Sequence, residues 1–206
     1  MVQKFICILV LLSSFFGYTQ KIVKKSILNS SISSIEIDGA NCFLVEVLTK
    51  DIKEVIVEAT IEGEYKRDLI ITIKKDIPSL QIRAEFQPIF VNPNDKLSAH
   101  KVVSIALKIT IPKDKDVSVL GTSSTFIGFG VYKRLRVSLK DGLCELANIS
   151  GKINIETQSG DIIVKKSAGN FVLNSKYGKV QEDIMPKGNS EFYLATNTGN
   201  IQVMKM

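Results

Sequence analysis

The sequence predicts an all-β fold, built as a stack of short strands with longer strands in its N-terminal half. Three observations predict it. Gly142, Gly151, Gly160, Gly169 and Gly178 stand nine residues apart. The residues two and four places after each are mostly apolar, as in Ile153 and Ile155, Ile162 and Val164, and Phe171 and Leu173. No window of helical length carries a convincing helical period of apolar residues. A nine-residue unit is too short to enclose a core of its own, so each turn and strand must stack on its neighbours and share one apolar strip.

At the N-terminus, Lys4 precedes an apolar run from Phe5 to Phe16 broken only by Ser13 and Ser14; Gly17, Tyr18 and Thr19 then lead into Gln20, Lys21, Lys24 and Lys25. A basic start, an apolar stretch of about a dozen residues and small residues before a cut are the parts of a secretory signal peptide. Cleavage is expected between Thr19 and Gln20. The run falls short of the roughly twenty apolar residues that cross a bilayer, and no second run of spanning length follows. Cys7 lies within the run, too early to carry the lipid of a bacterial lipoprotein. The expected organisation is a signal peptide over 1–19 and one all-β domain over 20–206, with a longer-strand half at 20–112 and a nonamer-repeat half at 113–206. The mature chain is expected in the periplasm, at the cell surface or outside the cell, with no transmembrane segment.

In the first half, alternation is plain in Ile35/Ile37, Val45/Val47, Val55/Val57/Ala59/Ile61, Leu69/Ile71/Ile73, Leu80/Ile82/Ala84, Val103/Ile105/Leu107/Ile109/Ile111 and Val117/Val119. Turns fall at Asp38-Gly39, Lys50-Asp51, Glu62-Gly63 and Asp76 to Pro78. Between Gln87 and Lys101 the pattern lapses into Pro88, Asn92, Pro93, Asn94 and Asp95, a loop. In the second half, counting back nine from Gly142 gives Lys133 followed by Leu135 and Val137, so the stack begins before its glycines do. Counting forward, Gly178 is followed by Val180 and then Glu182 at an inward site, which predicts a turn of the stack that opens or bulges. Phe192 and Leu194, then Ile201 and Val203, restore the pattern after an insertion around Pro186 and Gly188.

Cys42 and Cys144 survive processing, and one pair in a chain of this size is not a disulfide scaffold. Cys144 holds an inward position, where cysteine packs as a small hydrophobe. Phe43, Val45 and Val47 read as the buried parity of their strand, which would turn Cys42 to the opposite face, so no bridge is expected between the two. The formal charge is +6, from 27 Lys and Arg against 21 Asp and Glu. Lysines on strands discourage edge pairing, so most of this charge is read as solubility; attraction to anionic glycans or lipid head groups is the functional alternative. No nucleic-acid partner is expected.

The stretch Leu107-Lys-Ile-Thr-Ile-Pro-Lys-Asp, then Val117-Ser-Val-Leu-Gly-Thr-Ser-Ser, Ile149-Ser-Gly-Lys-Ile-Asn-Ile and Gln158-Ser-Gly-Asp-Ile-Ile-Val resembles the large bacterial family of putative adhesins, which includes the head GIN domain of putative auto-transporter adhesins. The resemblance covers about residues 30 to 206. It implies a β-solenoid or right-handed β-helix of secreted or envelope proteins, common in Bacteroidota, and it brings no catalytic or binding residues with it. The chain lacks room for an auto-transporter barrel.

Chemical constellations are sparse. Calcium-binding nonamers need repeated Gly-Asp steps, and the regular stack offers one, Gly160-Asp161, with Lys152 and Lys179 at the equivalent places. His100 is the sole histidine and gives neither a metal site nor a triad. If a full turn is two nonamers, residues eighteen apart stack, which places Lys165 beside Ala147 and Asp183, Glu156 beside Asn174, and Asp161 between Leu143 and Lys179. Acids then lie on bases or neutral residues, not in the carboxylate pairs a glycan-cleaving enzyme needs. No catalytic residue, cofactor or metal is expected. One surface candidate stands out, the segment from Gly121 to Tyr132 with Phe126, Phe129 and Tyr132. Exposed, these aromatics would suit a sugar or a protein partner; buried, they would cap the core, the preferred reading. The function expected is a secreted or envelope-associated, non-enzymatic binding or structural module of adhesin type, with an anionic glycan or envelope surface as partner. The alternatives are a carbohydrate-active enzyme on the same scaffold and a periplasmic partner of an envelope sensor.

Overall fold

A computed structural model describes residues 20–28, 31–63, 66–90 and 103–206. Among these residues there are thirteen strands and no helix. The expected signal peptide, His100 and most of the loop from Gln87 to Lys101 lie outside the described residues.

The strands are β1 (Lys21–Leu28), β2 (Ser34–Asp38), β3 (Leu44–Lys50), β4 (Glu54–Gly63), β5 (Leu69–Asp76), β6 (Ser79–Phe86), β7 (Val103–Pro112), β8 (Asp116–Thr157), β9 (Asp161–Lys166), β10 (Asn170–Ser175), β11 (Val180–Glu182), β12 (Glu191–Thr196) and β13 (Ile201–Lys205). They pair into one open sheet folded into two rows by β8. The first row runs β1, β4, β7, β3, β8, with β1–β4 and β4–β7 antiparallel and the rest parallel. The second runs β5, β6, β2, β8, with only β5–β6 antiparallel. The alternation read from the sequence sends Ile35, Ile37, Val55, Val57, Leu80, Ile82, Ile105, Leu107, Leu135 and Val137 into one buried cluster between the rows.

β8 is 42 residues long because it turns corners without leaving the sheet. Its residues 116–120 pair with β2, 125–129 with β3, 143–147 with β9 and 152–157 with β12. Two of the repeat's glycines explain how it turns. Gly142 and Gly151 have φ of 101° and 126°, which L side chains rarely adopt. A Cβ would also lie 2.2 Å from the Ser124 carbonyl oxygen at Gly142 and 2.0 Å from that of Tyr132 at Gly151. The corners thus need both glycine's dihedral freedom and its lack of a side chain.

The eighteen-residue spacing holds for one step and then fails. Ala147 stands beside Lys165 and Leu143 beside Asp161, as expected. Beyond β9, however, the chain skips a layer. β13 lies between β9 and β11, and β12 lies between β8 and β10. The last two strands have been laid back into the gap. Lys165 therefore neighbours Met204 instead of Asp183, and Glu156 neighbours Ala195 instead of Asn174. Asp161 bonds Asn200, not Lys179: its Oδ1 accepts from the Asn200 backbone N–H at 2.7 Å.

Other expectations need correction. Phe171 and Leu173 are only partly buried, whereas Ile153, Ile155, Ile162 and Val164 are fully buried. The reason is topological, because β10 has a neighbour on one side only, β12. Phe43 is 51% exposed and Cys42 buried, the reverse of the expected parity. Val45 and Val47 are buried as read; β3 starts only at Leu44, and a turn closed by the Cys42 N–H on the Gly39 carbonyl (2.9 Å) precedes it. Both cysteines are free and buried. Lys152 and Glu156 are exposed, and Lys165 lies half-buried with its ammonium 2.7 Å from Glu145.

Candidate binding surface

The structure separates the three aromatics of the Gly121–Tyr132 segment. Phe126 pairs in register with Val45 and is 0% exposed; Tyr132 is 1% exposed. The Tyr132 hydroxyl donates to the Val47 carbonyl at 2.8 Å. Burial pushes its phenol well above the ordinary tyrosine range. Phe129 stands beside Leu48 and is 37% exposed. Two of the three are core, and only Phe129 faces solvent, on the outer face of the first row.

The second row carries a more developed surface. Strand alternation places Asn154, Tyr193 and Val172 side by side on its outer face, with Lys152, Glu191 and Asn170 in the adjacent line. Together with Arg134 they line a shallow cleft of about 350 Å³. Tyr193 is 47% exposed and Val172 59%, so the cleft presents an aromatic face and an aliphatic patch flanked by charge. Lys152 reaches Glu191 at 3.5 Å, and Arg134 lies 4.0 Å from Asp116. Asn154 Oδ1 is buried there without a hydrogen-bond partner, while its amide donates to Glu156 at 3.2 Å.

Further along the same face, Arg134 and Arg136 line a second cleft with Ser34, Glu36, Asp116 and Ser118, about 260 Å³. The two clefts share Arg134, so this outer face offers three cations, Arg134, Arg136 and Lys152, in one strip. Arg136 has no ion-pair partner among the described residues. Sequence reasoning missed Tyr193. The signal was present: it sits between Phe192 and Leu194, the inward residues of its strand, so the alternation itself turns it outward.

The carboxylates that an enzymatic reading would turn to are engaged within the fold. Asp161 accepts from Asn200 N and Nδ2 at 2.7 and 3.2 Å, and Glu156 accepts from Asn154. Among the described residues, no group of three or more His, Cys, Asp or Glu could hold a metal ion, and no helix is long and apolar enough to cross a membrane.

No family model matches the chain, and no curated protein matches it. Its fold is that of a solved structure. It is similar to a putative cell adhesion protein from Clostridium sporogenes, with a TM-score of 0.66 and 12% identity over 91% of this chain and 100% of the other. A putative adhesin from Bacteroides fragilis aligns over 91% of this chain and 99% of its own, at 12% identity and a TM-score of 0.40. One from Parabacteroides merdae aligns over 89% and 96%, at 12% identity and a TM-score of 0.33.

Proposed function

We propose that the protein is an exported, non-enzymatic binding module of the bacterial envelope, adhesin-like in role, built as one β-solenoid domain whose second-row outer face holds acidic glycans. The observation that carries this reading is Tyr193, half-exposed in a cleft that Arg134 and Lys152 also line. An aromatic face stacks on the apolar side of a sugar ring, and flanking cations and amides take its carboxylate and hydroxyls. Residues eighteen apart that pair in register, and corners turned at glycine, support the solenoid reading. The fold shared with the clostridial protein supports the class of role. Phe129, on the opposite face, is proposed as a separate and lesser contact.

The test is a glycan array with residues 20–206, followed by titration of any hit. Binding to acidic glycans is expected to weaken steeply as salt rises, because exposed charges are screened over about 8 Å at 0.15 M. Tyr193→Ala and Arg134→Ala should each weaken it at least tenfold, with Phe129→Ala changing it less. Affinity indifferent to salt and to Tyr193 would remove this face from the reading, and turnover of a bound glycan would replace the binding role with an enzymatic one.

A further inference from the structure

Six outward residues of the second row stand in one line across the strands. Val172 pairs in register with Tyr193, Tyr193 with Asn154, and Ser118 with Glu36. Arg136 fills the gap between Asn154 and Ser118, because β8 returns alongside itself every eighteen residues. Two contacts fix that step. A Cβ at Gly151 would lie 2.0 Å from the Tyr132 carbonyl oxygen and 3.6 Å from that of Lys133, and the Lys133 backbone N–H donates to the Lys115 carbonyl at 3.1 Å. The matching inward residues Val117, Leu135 and Ile153 are all buried. Neighbouring strands lie about 4.8 Å apart, so the Arg136 backbone stands two spacings, about 10 Å, from that of Tyr193.

The residues of this line differ in what they can hold. Arg136 is exposed, with no ion-pair partner among the described residues. Lys152 and Arg134, in the next line, face Glu191 at 3.5 Å and Asp116 at 4.0 Å. Of the strip's three cations, the Arg136 guanidinium is therefore the one left to grip a carboxylate with two parallel hydrogen bonds. Two steps further on, the Glu36 carboxylate accepts from Ser79 Oγ at 3.3 Å and Gln81 Nε2 at 3.2 Å. The line is thus aromatic near one end, cationic in the middle and anionic at the other end.

We propose that the Tyr193 and Arg136 clefts are two subsites of one groove, and that its ligand is a linear acidic oligosaccharide lying across the strands, with one ring on Tyr193 and the carboxylate of the ring two places along on Arg136. This rests on the glycan-binding role proposed for Tyr193 and adds to it the direction of the chain and the spacing of its charge. An extended chain of β-linked six-membered rings advances by about one strand spacing per ring. It also turns over at each linkage, so rings two places apart show the protein the same side. With the first ring on Tyr193, the third brings its carboxylate to Arg136. The fifth brings its own to Glu36, where like charges repel. The groove therefore selects by attraction at the third ring and by repulsion at the fifth.

The test is calorimetric titration of residues 20–206 with β-1,4-linked oligomannuronates of one to five rings, and with neutral β-1,4-linked manno-oligosaccharides of the same lengths. Affinity for the acidic series is expected to rise at least tenfold between two rings and three, with no such step in the neutral series. Five acidic rings should bind no better than four. Arg136→Ala, at an exposed side chain, should keep the melting temperature and bring the three-ring acid down to the affinity of the two-ring acid. Arg136→Lys should lose most of the step, because an ammonium lacks the guanidinium's planar fork. Glu36→Gln should let five acidic rings bind at least threefold more tightly than four. A step that survives Arg136→Ala, or a smooth rise with length that Arg136→Ala lowers equally throughout, would overturn the proposal. Binding that depends on Tyr193 but shows no step at three rings sinks the shared groove and leaves the role of Tyr193 standing. No acidic glycan bound at any length overturns both.

Discussion

β13 and β11 lie side by side at the same register, Ile201 beside Val180 and Val203 beside Glu182, yet their inward residues have opposite fates. Ile201 and Val203 are 1% exposed; Val180 and Glu182 are exposed. The same contrast divides Phe192 and Leu194 from Phe171 and Leu173 in the other row. Each pair follows the same glycine-plus-two, glycine-plus-four phase or its equivalent. Phase therefore decides which way a side chain points, and the order of stacking decides whether anything covers it.

The largest effect should come from exchanging these paired residues. Val203→Glu would place an unpaired carboxylate in a dry interior layer, at a cost of several kcal/mol, and should leave the protein unfolded or nearly so by circular dichroism. Ile162→Asp, on the adjoining strand beside Ile201, should do the same. Glu182→Val, one strand outward, should change stability by no more than about 0.5 kcal/mol. A Val203→Glu variant that melts with the wild type would show that β13 is not an interior layer.

Two aromatic truncations sharpen the comparison. Phe171 and Phe192 stack with ring centroids 4.5 Å apart, one in the edge layer and one inside it. Phe192→Ala should cost about 3–5 kcal/mol through lost burial and a retained cavity. Phe171→Ala, which removes a ring already partly in water, should cost about 1–2 kcal/mol. Denaturant titration measures both, and equal losses would mean that β10 is covered in solution.

Much of this was legible in the sequence. Periodicity gave the strands, the inward set around Ile153, Ile155, Ile162 and Val164, and the corner glycines, because a nine-residue phase is a local property. The laying of β12 and β13 back between earlier layers was not legible. It exchanges neighbours without changing any residue's phase, so the register that sets Glu156 beside Ala195 leaves no mark on local patterning. The surface was half legible. Phe126 and Tyr132 sit where strand parity turns them inward, but the phase of that segment could not be fixed before Gly142. Tyr193 could have been found by the parity that located Phe192 and Leu194.

The lysine-bearing end of the stack, at β1 and β5, should respond more mildly. Lys25→Met removes the charge-assisted hydrogen bond to the Ile71 carbonyl and leaves that edge of β5 open to water. The loss should be about 1 kcal/mol, since the ammonium is only part-buried, and self-association through that end should rise. Thermal melting and sedimentation together check it; an unchanged melt with unchanged mass would show that the lysines contribute nothing to closing the end.

The smallest effects belong to the two thiols, and they separate a turn from an interior layer. Burial, and then the negative charge of Asp38, pushes the Cys42 thiol from 9.0 up to about 12; burial alone raises that of Cys144. Both therefore hold their protons more tightly folded than unfolded. Their contribution to stability is whole below pH 9.0, the unfolded value, and is lost as the pH rises from there towards the raised folded value. At pH 8 neither is a thiolate in the native state, so an aromatic disulfide reagent should label them only through opening of the structure. Cys42 lies on the turn before β3 and should react through local opening, whereas Cys144, fully buried between the rows, should react at the rate of global unfolding. A mild denaturant series should accelerate Cys144 labelling far more than Cys42 labelling. Fast labelling of Cys144 in native buffer would place it in a layer that opens on its own, and would move the boundary between interior and edge one strand further into the stack.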